Sequence, residues 1–223
     1  RLPKSKSLLV NKGFKNNGIK HLVEMHHRSL FEIPIGLSLG KTNCAEPMTQ
    51  GEAVADVVEA FTAAEKAKMN FSYYELNISC PNLRGNVEFY EPQHLRELLT
   101  AVCGLGLSKP VFIKMPIDKT DEETRAMLDL IAEFPIRGVI FGNLQRNRAH
   151  PTIDQAEASK YPKGNFSGKP TESRSNELIK LAYRYHGERL VIIGSGGVSS
   201  PEDAYKKIRL GASLIQLITG LVY

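Results

Sequence analysis

No stretch of the 223-residue chain stays apolar for the roughly 20 residues that a membrane-spanning helix needs, and its first residues lack the charged, apolar and small-residue succession of a secretory signal. No part of it is expected to cross a membrane. Cysteine is scarce: Cys44, Cys80 and Cys103 are odd in number and form no CxxC pair, which argues against a disulfide framework or a thiolate zinc site and fits a reducing compartment. Histidine supplies no alternative, because His26 and His27 are adjacent on a helical stretch and cannot face one ion together, while His150 stands alone in a loop. No metal is assigned. Linkers rich in Pro, Gly or Ser and low-complexity tracts are also missing, so a single domain spanning residues 1–223 is expected.

What is present is an ordinary globular balance, 42% hydrophobic and 24% charged, which excludes a disordered or fibrous chain. The net charge of +5 is unevenly placed. Arg1, Lys4, Lys6, Lys12, Lys15, Lys20 and Arg28 face Glu24 alone in the first 28 residues, so the rest of the chain is close to neutral. Such a segment can attract an anionic ligand, a membrane surface or nucleic acid, but is more often a solvated face. The chain opens on Arg1 and stops at Tyr223 directly after an apolar run, and it reads as a piece of a longer protein.

Six short segments rich in Ile, Val, Leu and Phe have strand length: Ile35–Leu39, Tyr73–Ile78, Val111–Met115, Gly138–Gly142, Leu190–Gly194 and Ser213–Ile218. Amphipathic stretches separate them. In Gly51–Lys68, Val54, Val57, Val58, Phe61 and Ala64 recur at helical spacing. Another helix begins at a capping Ser200 followed by Pro201, with Glu202 and Asp203 at its positive end and Lys206, Lys207 and Arg209 before Gly211. Alternating strands and helices predict a mainly parallel α/β sheet, either doubly wound or part of a barrel. Polar residues at the strand ends decide between them. Asn77, Lys114, Asn143 and the turn Gly194-Ser195-Gly196-Gly197 stand where a barrel keeps its active site, so a TIM (β/α)8 barrel is favoured, with about six of its eight units present.

The most informative motif is Glu75-Leu76-Asn77-Ile78-Ser79-Cys80-Pro81-Asn82, a strand running into a proline with two amides and a thiol at its exit. It resembles the strand-end motif of the dihydroorotate dehydrogenases, flavin enzymes on a (β/α)8 barrel that oxidise dihydroorotate to orotate in pyrimidine biosynthesis. Asn11–Gly18 looks like that family's substrate loop, with Asn11 and Phe14 as substrate contacts, and Ser167-Gly168-Lys169-Pro170 looks like its Ser-Gly-Lys-Pro turn. Ile192–Gly197 and Gln216–Thr219 resemble the flavin-phosphate site of the membrane-associated, quinone-using class. Glycines here would let backbone approach a phosphate closely, although a tight strand-to-helix turn alone also needs them.

The resemblance implies an oxidoreductase with FMN as cofactor, held by Ser38, Asn77, Lys114, Gly142, Ser167, Gly168, Gly196, Gly197, Ile218 and Thr219. Asn11, Asn77, Asn82 and Asn143 would hold the substrate ring, since carboxamides donate and accept side by side as its N–H and C=O groups require. Lys114 would lie near the electron-accepting edge of the flavin, and Cys80 would be the base that takes the C5 proton. Cys44 and Cys103 read as buried structural thiols. Quinone-using members carry serine where this chain has Cys80, and the members using fumarate or NAD carry cysteine. Ser38 replaces an asparagine of the family, and Gly142 and Leu144 replace hydroxyl residues.

Expected partners are dihydroorotate or orotate and a quinone, with no nucleic acid. Peripheral association with the inner face of a membrane would run through a segment before Arg1, the mitochondrial inner membrane in a eukaryote; a cytoplasmic protein is the alternative. The first two barrel strands and the helix after Tyr223 are expected outside this chain. Rival readings are a dihydropyrimidine dehydrogenase-like or dihydrouridine synthase-like flavin barrel, and a non-catalytic orotate or flavin binder. Residues 145–164 are expected to form a mobile lid.

Overall fold

The computed structural model describes residues 1–26, 31–84 and 87–223; His27 and Arg28 lie outside the described residues. In chain order the elements are β1 (Leu9–Val10), α1 (Gly18–His26), β2 (Gly36–Leu39), α2 (Gln50–Lys66), β3 (Tyr73–Asn77), α3 (Pro92–Cys103), β4 (Val111–Met115), α4 (Asp121–Ala132), β5 (Gly138–Phe141), α5 (Gln155–Ala158), β6 (Asn165–Phe166), α6 (Glu172–His186), β7 (Val191–Ser195), α7 (Pro201–Arg209) and β8 (Leu214–Gln216). Helix starts are well specified. Thr49 with Glu52, and Thr120 with Glu123, close reciprocal capping boxes at α2 and α4. At α7 the Ser200 hydroxyl accepts from the Asp203 N–H at 3.2 Å, and Pro201 opens the helix.

Strands β2, β3, β4, β5, β7 and β8 hydrogen-bond in that order, every pair parallel. A doubly wound sheet reverses its strand order at a switch point; here each strand lies beside the next of the six, as in an arc of a barrel. The apolar side chains divide accordingly. Tyr74, Leu76, Ile113, Met115, Val139, Phe141 and Ile192 join the helices in one large core, while Phe112, Ile140 and Ile193, with Tyr73 and Val191, cluster separately on the other face. That second cluster plugs the floor of the barrel interior. The Tyr73 and Phe112 rings meet edge to face at 5.6 Å. They fit because Gly36 faces Tyr73: a Cβ there would stand 2.1 Å from Tyr73 Cζ.

All six expected strands are present with ends moved by a residue or two, and the helix expected over Gly51–Lys68 runs from Gln50 to Lys66. Three details differ. Strands β1 and β6, only two residues each, pair antiparallel as a separate ribbon, too short to leave a periodic pattern. Lys207, one of the three basic residues read at the end of α7, is fully buried. Its Nζ donates to Ser175 Oγ and Asn176 Oδ1, both at 2.9 Å, and Ser175 Oγ passes the chain on to the Ser195 carbonyl at 2.5 Å.

The third concerns residues 145–164, expected as a mobile lid, which pack as a strap with a small core of their own. Ile153 and Ala158 share a small core with Leu2 and Phe166. The Arg148 guanidinium donates to the carbonyls of Gly164, Ala158 and Tyr161 and lies over the Phe166 ring. Ser5 N–H and Oγ donate to Glu157, and Lys4 pairs with Asp154 at 3.6 Å, so the strap is tied to the N-terminal residues.

Candidate active site

Two neighbouring cavities open among the carboxyl ends of the strands, of about 80 and 140 Å³, and Asn143 and Leu144 line both. The smaller holds Asn77, Cys80 and Asn143. The larger is lined by eight of the ten expected cofactor residues, Ser38 and Asn77 being the exceptions. Asn11, Phe14 and Asn82 line neither.

In the smaller cavity one hydroxyl organises the amides. Ser79 Oγ donates to Asn77 Oδ1 at 3.0 Å and accepts from Asn143 Nδ2 at 2.5 Å, and the Ser79 carbonyl accepts from the same Nδ2 at 2.8 Å. Asn77 is thus left with its Nδ2 donors, and Asn143 with its Oδ1 acceptor, for another molecule. Sequence reasoning passed over Ser79; its place between Asn77 and Cys80 was the available signal. Asn82 sits apart from this pair. It donates to the Val10 carbonyl at 3.5 Å and accepts from Asn165 Nδ2 at 2.8 Å, so it belongs to the rim formed by the β1–β6 ribbon. Asn11 is exposed on the same rim, beside Gly164. The Phe14 ring covers the end of β2, close enough that a Cβ at Gly40 would stand 2.8 Å from it. The expected four-amide cage is therefore one linked pair within the cavity and two amides at its margin.

Cys80 is partly exposed in the smaller cavity. Burial pushes its thiol above the ordinary value, while a hydrogen bond from the Asn82 backbone and the Lys114 charge pull the other way. Cys44 and Cys103 are also only partly buried, so neither is a fully enclosed structural thiol. Cys44 Sγ donates to the Glu46 carbonyl at 3.2 Å.

The larger cavity has the attributes a phosphate-bearing cofactor needs. Gly196 and Gly197 have φ of +90° and +74°, where side chains are strained, and a Cβ at Gly196 would stand 2.5 Å from Thr171 Oγ1. The turn is thereby stripped of side chains and bare backbone lines the wall. Gly168, with φ +76°, presses on the Lys6 carbonyl, and Ser167 Oγ and Thr219 Oγ1 lie 2.7 Å apart beside it. Lys114 supplies the cationic side chain. These donors and this bare backbone fit FMN. Ile218 is 74% exposed and offers its surface to the same cleft. Ser38, outside the cavity, donates from Oγ to Glu75 Oε1 at 2.6 Å.

A sequentially ordered parallel sheet with helices on one face, a plugged floor and paired cavities at the carboxyl ends defines an α/β-barrel protein. The family model of dihydroorotate dehydrogenase matches residues 1–223, and the chain belongs to that family. Among curated relatives it is 33% identical over 227 residues to the dihydroorotate dehydrogenase (quinone) of Nocardia farcinica, and 35% identical over 233 residues to that of Trichodesmium erythraeum. Each alignment covers 100% of this chain and 60% of the relative, so the chain spans about three fifths of their length. A crystal structure of DHODH from Eimeria tenella in complex with ferulenol superposes on all of the chain with a TM-score of 0.84 at 25% identity, covering 65% of that structure. The ligand-free form from the same organism gives the same score and identity over 67% of its chain. The chain is thus a partial (β/α)8 barrel, and among its described residues no helix is long and apolar enough to cross a membrane.

Proposed function

We propose that this protein oxidises dihydroorotate to orotate in pyrimidine biosynthesis with FMN as cofactor, and that a quinone is the final electron acceptor. The observation that carries the reading is the shared wall between the two cavities: Asn143 and Leu144 border both the thiol-and-amide pocket and the glycine-walled cleft, so a substrate and a flavin would meet there. The quinone-dependent relatives from Nocardia and Trichodesmium support the acceptor.

In this reading Gly168, Gly196 and Gly197 hold the FMN phosphate, with Ser167, Thr219 and Ile218 alongside, while Gly142, Lys114, Ser38 and Asn77 lie toward its ring. FMN when bound supplies the two-electron acceptor for the hydride that leaves substrate C6. Cys80, as thiolate, removes the proton from C5 and is left as the thiol. Asn77 donates to a substrate carbonyl and Asn143 accepts from a substrate N–H, each held in that orientation by Ser79. Asn82, Asn11 and Phe14 on the rim close over the substrate and exclude water. Residues 1–223 form one barrel domain in this reading, and the free edges of β2 and β8 are those that two further strands would join. A peripheral site on the inner face of a membrane would bring the protein to its quinone.

The test is anaerobic. Dihydroorotate added to the purified, FMN-loaded protein is expected to bleach the visible flavin absorbance, and quinone to restore it faster than fumarate or NAD does. Flavin that stays oxidised would end the substrate assignment; recovery with fumarate or NAD alone would end the assignment of the acceptor.

A further inference from the structure

Strand β3 turns Tyr73, Glu75 and Asn77 into the barrel, and Glu75 has no part in the reading above. It is the one acidic residue among the buried described residues. Strand register explains its neighbours. Ser38 on β2 is paired directly with Glu75, and Lys114 on β4 with Asn77, so Glu75 lies between a hydroxyl on one side and an ammonium on the other. Ser38 Oγ donates to Glu75 Oε1 at 2.6 Å, and Lys114 Nζ stands 4.0 Å from the same oxygen. Only 10% of the Glu75 side chain and 19% of that of Lys114 remain exposed. With so little water around it, a charge there acts at longer range than one at the surface, and each member of the pair limits what the other does to a ligand.

We infer that Glu75 is a positioning residue for Lys114: its carboxylate, fixed by Ser38, anchors the ammonium at the edge of the cofactor cleft and cancels part of its charge, so that it lowers the electron affinity of a flavin bound there. The inference rests on the FMN reading of the larger cavity. It also gives Ser38 a role. The short hydroxyl is spent on the carboxylate, and a longer amide in its place would have to displace Glu75 to reach the same cleft.

The probe is sulfite, which adds to oxidised flavin more tightly as the flavin's electron affinity rises. In the FMN-loaded full-length protein, Glu75→Gln keeps the shape and removes the charge, and is expected to tighten sulfite binding at least tenfold and to raise the flavin midpoint potential. Ser38→Ala, which loosens the carboxylate without removing it, is expected to shift both in the same direction by less. Lys114→Met is expected to shift them the opposite way. A second readout needs no flavin: acetylation of Lys114 by acetic anhydride, followed by mass spectrometry on FMN-free protein, is expected to be at least threefold faster in Glu75→Gln because an ion-paired amine reacts more slowly than a released one. Sulfite affinity within twofold of wild type in FMN-loaded Glu75→Gln would overturn the effect on the flavin. Equal acetylation rates would overturn the anchoring of Lys114. If the wild-type protein took up no FMN at all, the cofactor reading would fail and the electron-affinity role with it, while the acetylation result would still decide the Glu75–Lys114 pair.

Discussion

Lys207 places a buried cation under the glycine turn, and its contribution to stability can be worked from the structure. Burial is the main influence on its amine and brings it from an ordinary 10.5 down to about 8, against the pull of Glu172 and Asp203. Between those two values the unfolded chain binds this proton more tightly than the folded one, so the contribution to stability rises with pH across the window and the penalty is complete below pH 8. Applying proton linkage, the penalty is about 3 kcal/mol at pH 7.5 and about 1.5 kcal/mol at pH 9.5. Lys207→Met removes the titration. It also leaves Asn176 Oδ1 and Ser175 Oγ without their donor, a cost of about 1–3 kcal/mol that is the same at both pH values and drops out of the comparison. Urea unfolding of both proteins at pH 7.5 and 9.5 is therefore expected to show wild type gaining about 2 kcal/mol on Lys207→Met between the two. A stability difference that stays constant with pH would refute the argument, because it would mean the amine titrates alike in the folded and unfolded chains.

Cys80→Ala is expected to slow flavin bleaching by dihydroorotate about 10²–10⁴-fold, the usual loss on removing a general base. In the wild type the bleaching rate should climb with pH and level off above the ordinary cysteine value of about 8.5, since burial disfavours the thiolate; a plateau already reached at pH 7 in stopped-flow measurements contradicts this. Gly196→Ala puts a side chain at φ +90° and against Thr171, a strain of at least about 1–2 kcal/mol, and should weaken FMN binding tenfold or more by fluorescence titration. Ser79→Ala removes one hydrogen bond from Asn77 and one from Asn143, about 1 kcal/mol each, leaving only the bonds to the residue's backbone N–H and carbonyl, and is expected to raise the dihydroorotate KM several-fold while FMN affinity is unchanged. An unaltered KM would mean the amides hold their orientation without the hydroxyl.

The strands were legible because each is a short run rich in Ile, Val, Leu or aromatic residues, and the polar exits of several of them, Asn77, Lys114 and Asn143, mark the site. Periodicity alone carries no information about which strand lies beside which; the polar exits supplied it by favouring a barrel, in which each strand neighbours the next. The glycine turn was readable as a possible phosphate wall, and the positive φ at Gly196 and Gly197 gives the physical reason glycine stands there. Residues that act through neighbours on other elements left no trace. Glu75 looks like any polar residue of an alternating strand until β2 and β4 bring Ser38 and Lys114 to it. Asn165 finds Asn82 across 83 positions. Lys207 followed the charge rule for a helix end, which takes no account of a serine and an asparagine on α6 waiting beneath. For residues 145–164, loop length suggested freedom, and the apolar Ile153 and Ala158 that anchor the strap were too few to register as a core.

The aromatic floor of the barrel has a consequence for how this chain can change over time. Gly36 and Tyr73 occupy one volume from two neighbouring strands, so their histories are bound together. A methyl group gained at position 36 has nowhere to go while the ring of Tyr73 is in place, and a smaller residue at 73 opens a hole while position 36 has no side chain to fill it. Each step alone passes through a damaged protein, and only the two together reach another sound one. A lineage of this barrel should therefore keep the glycine and the tyrosine or exchange both, and intermediates with only one of them altered should be rare.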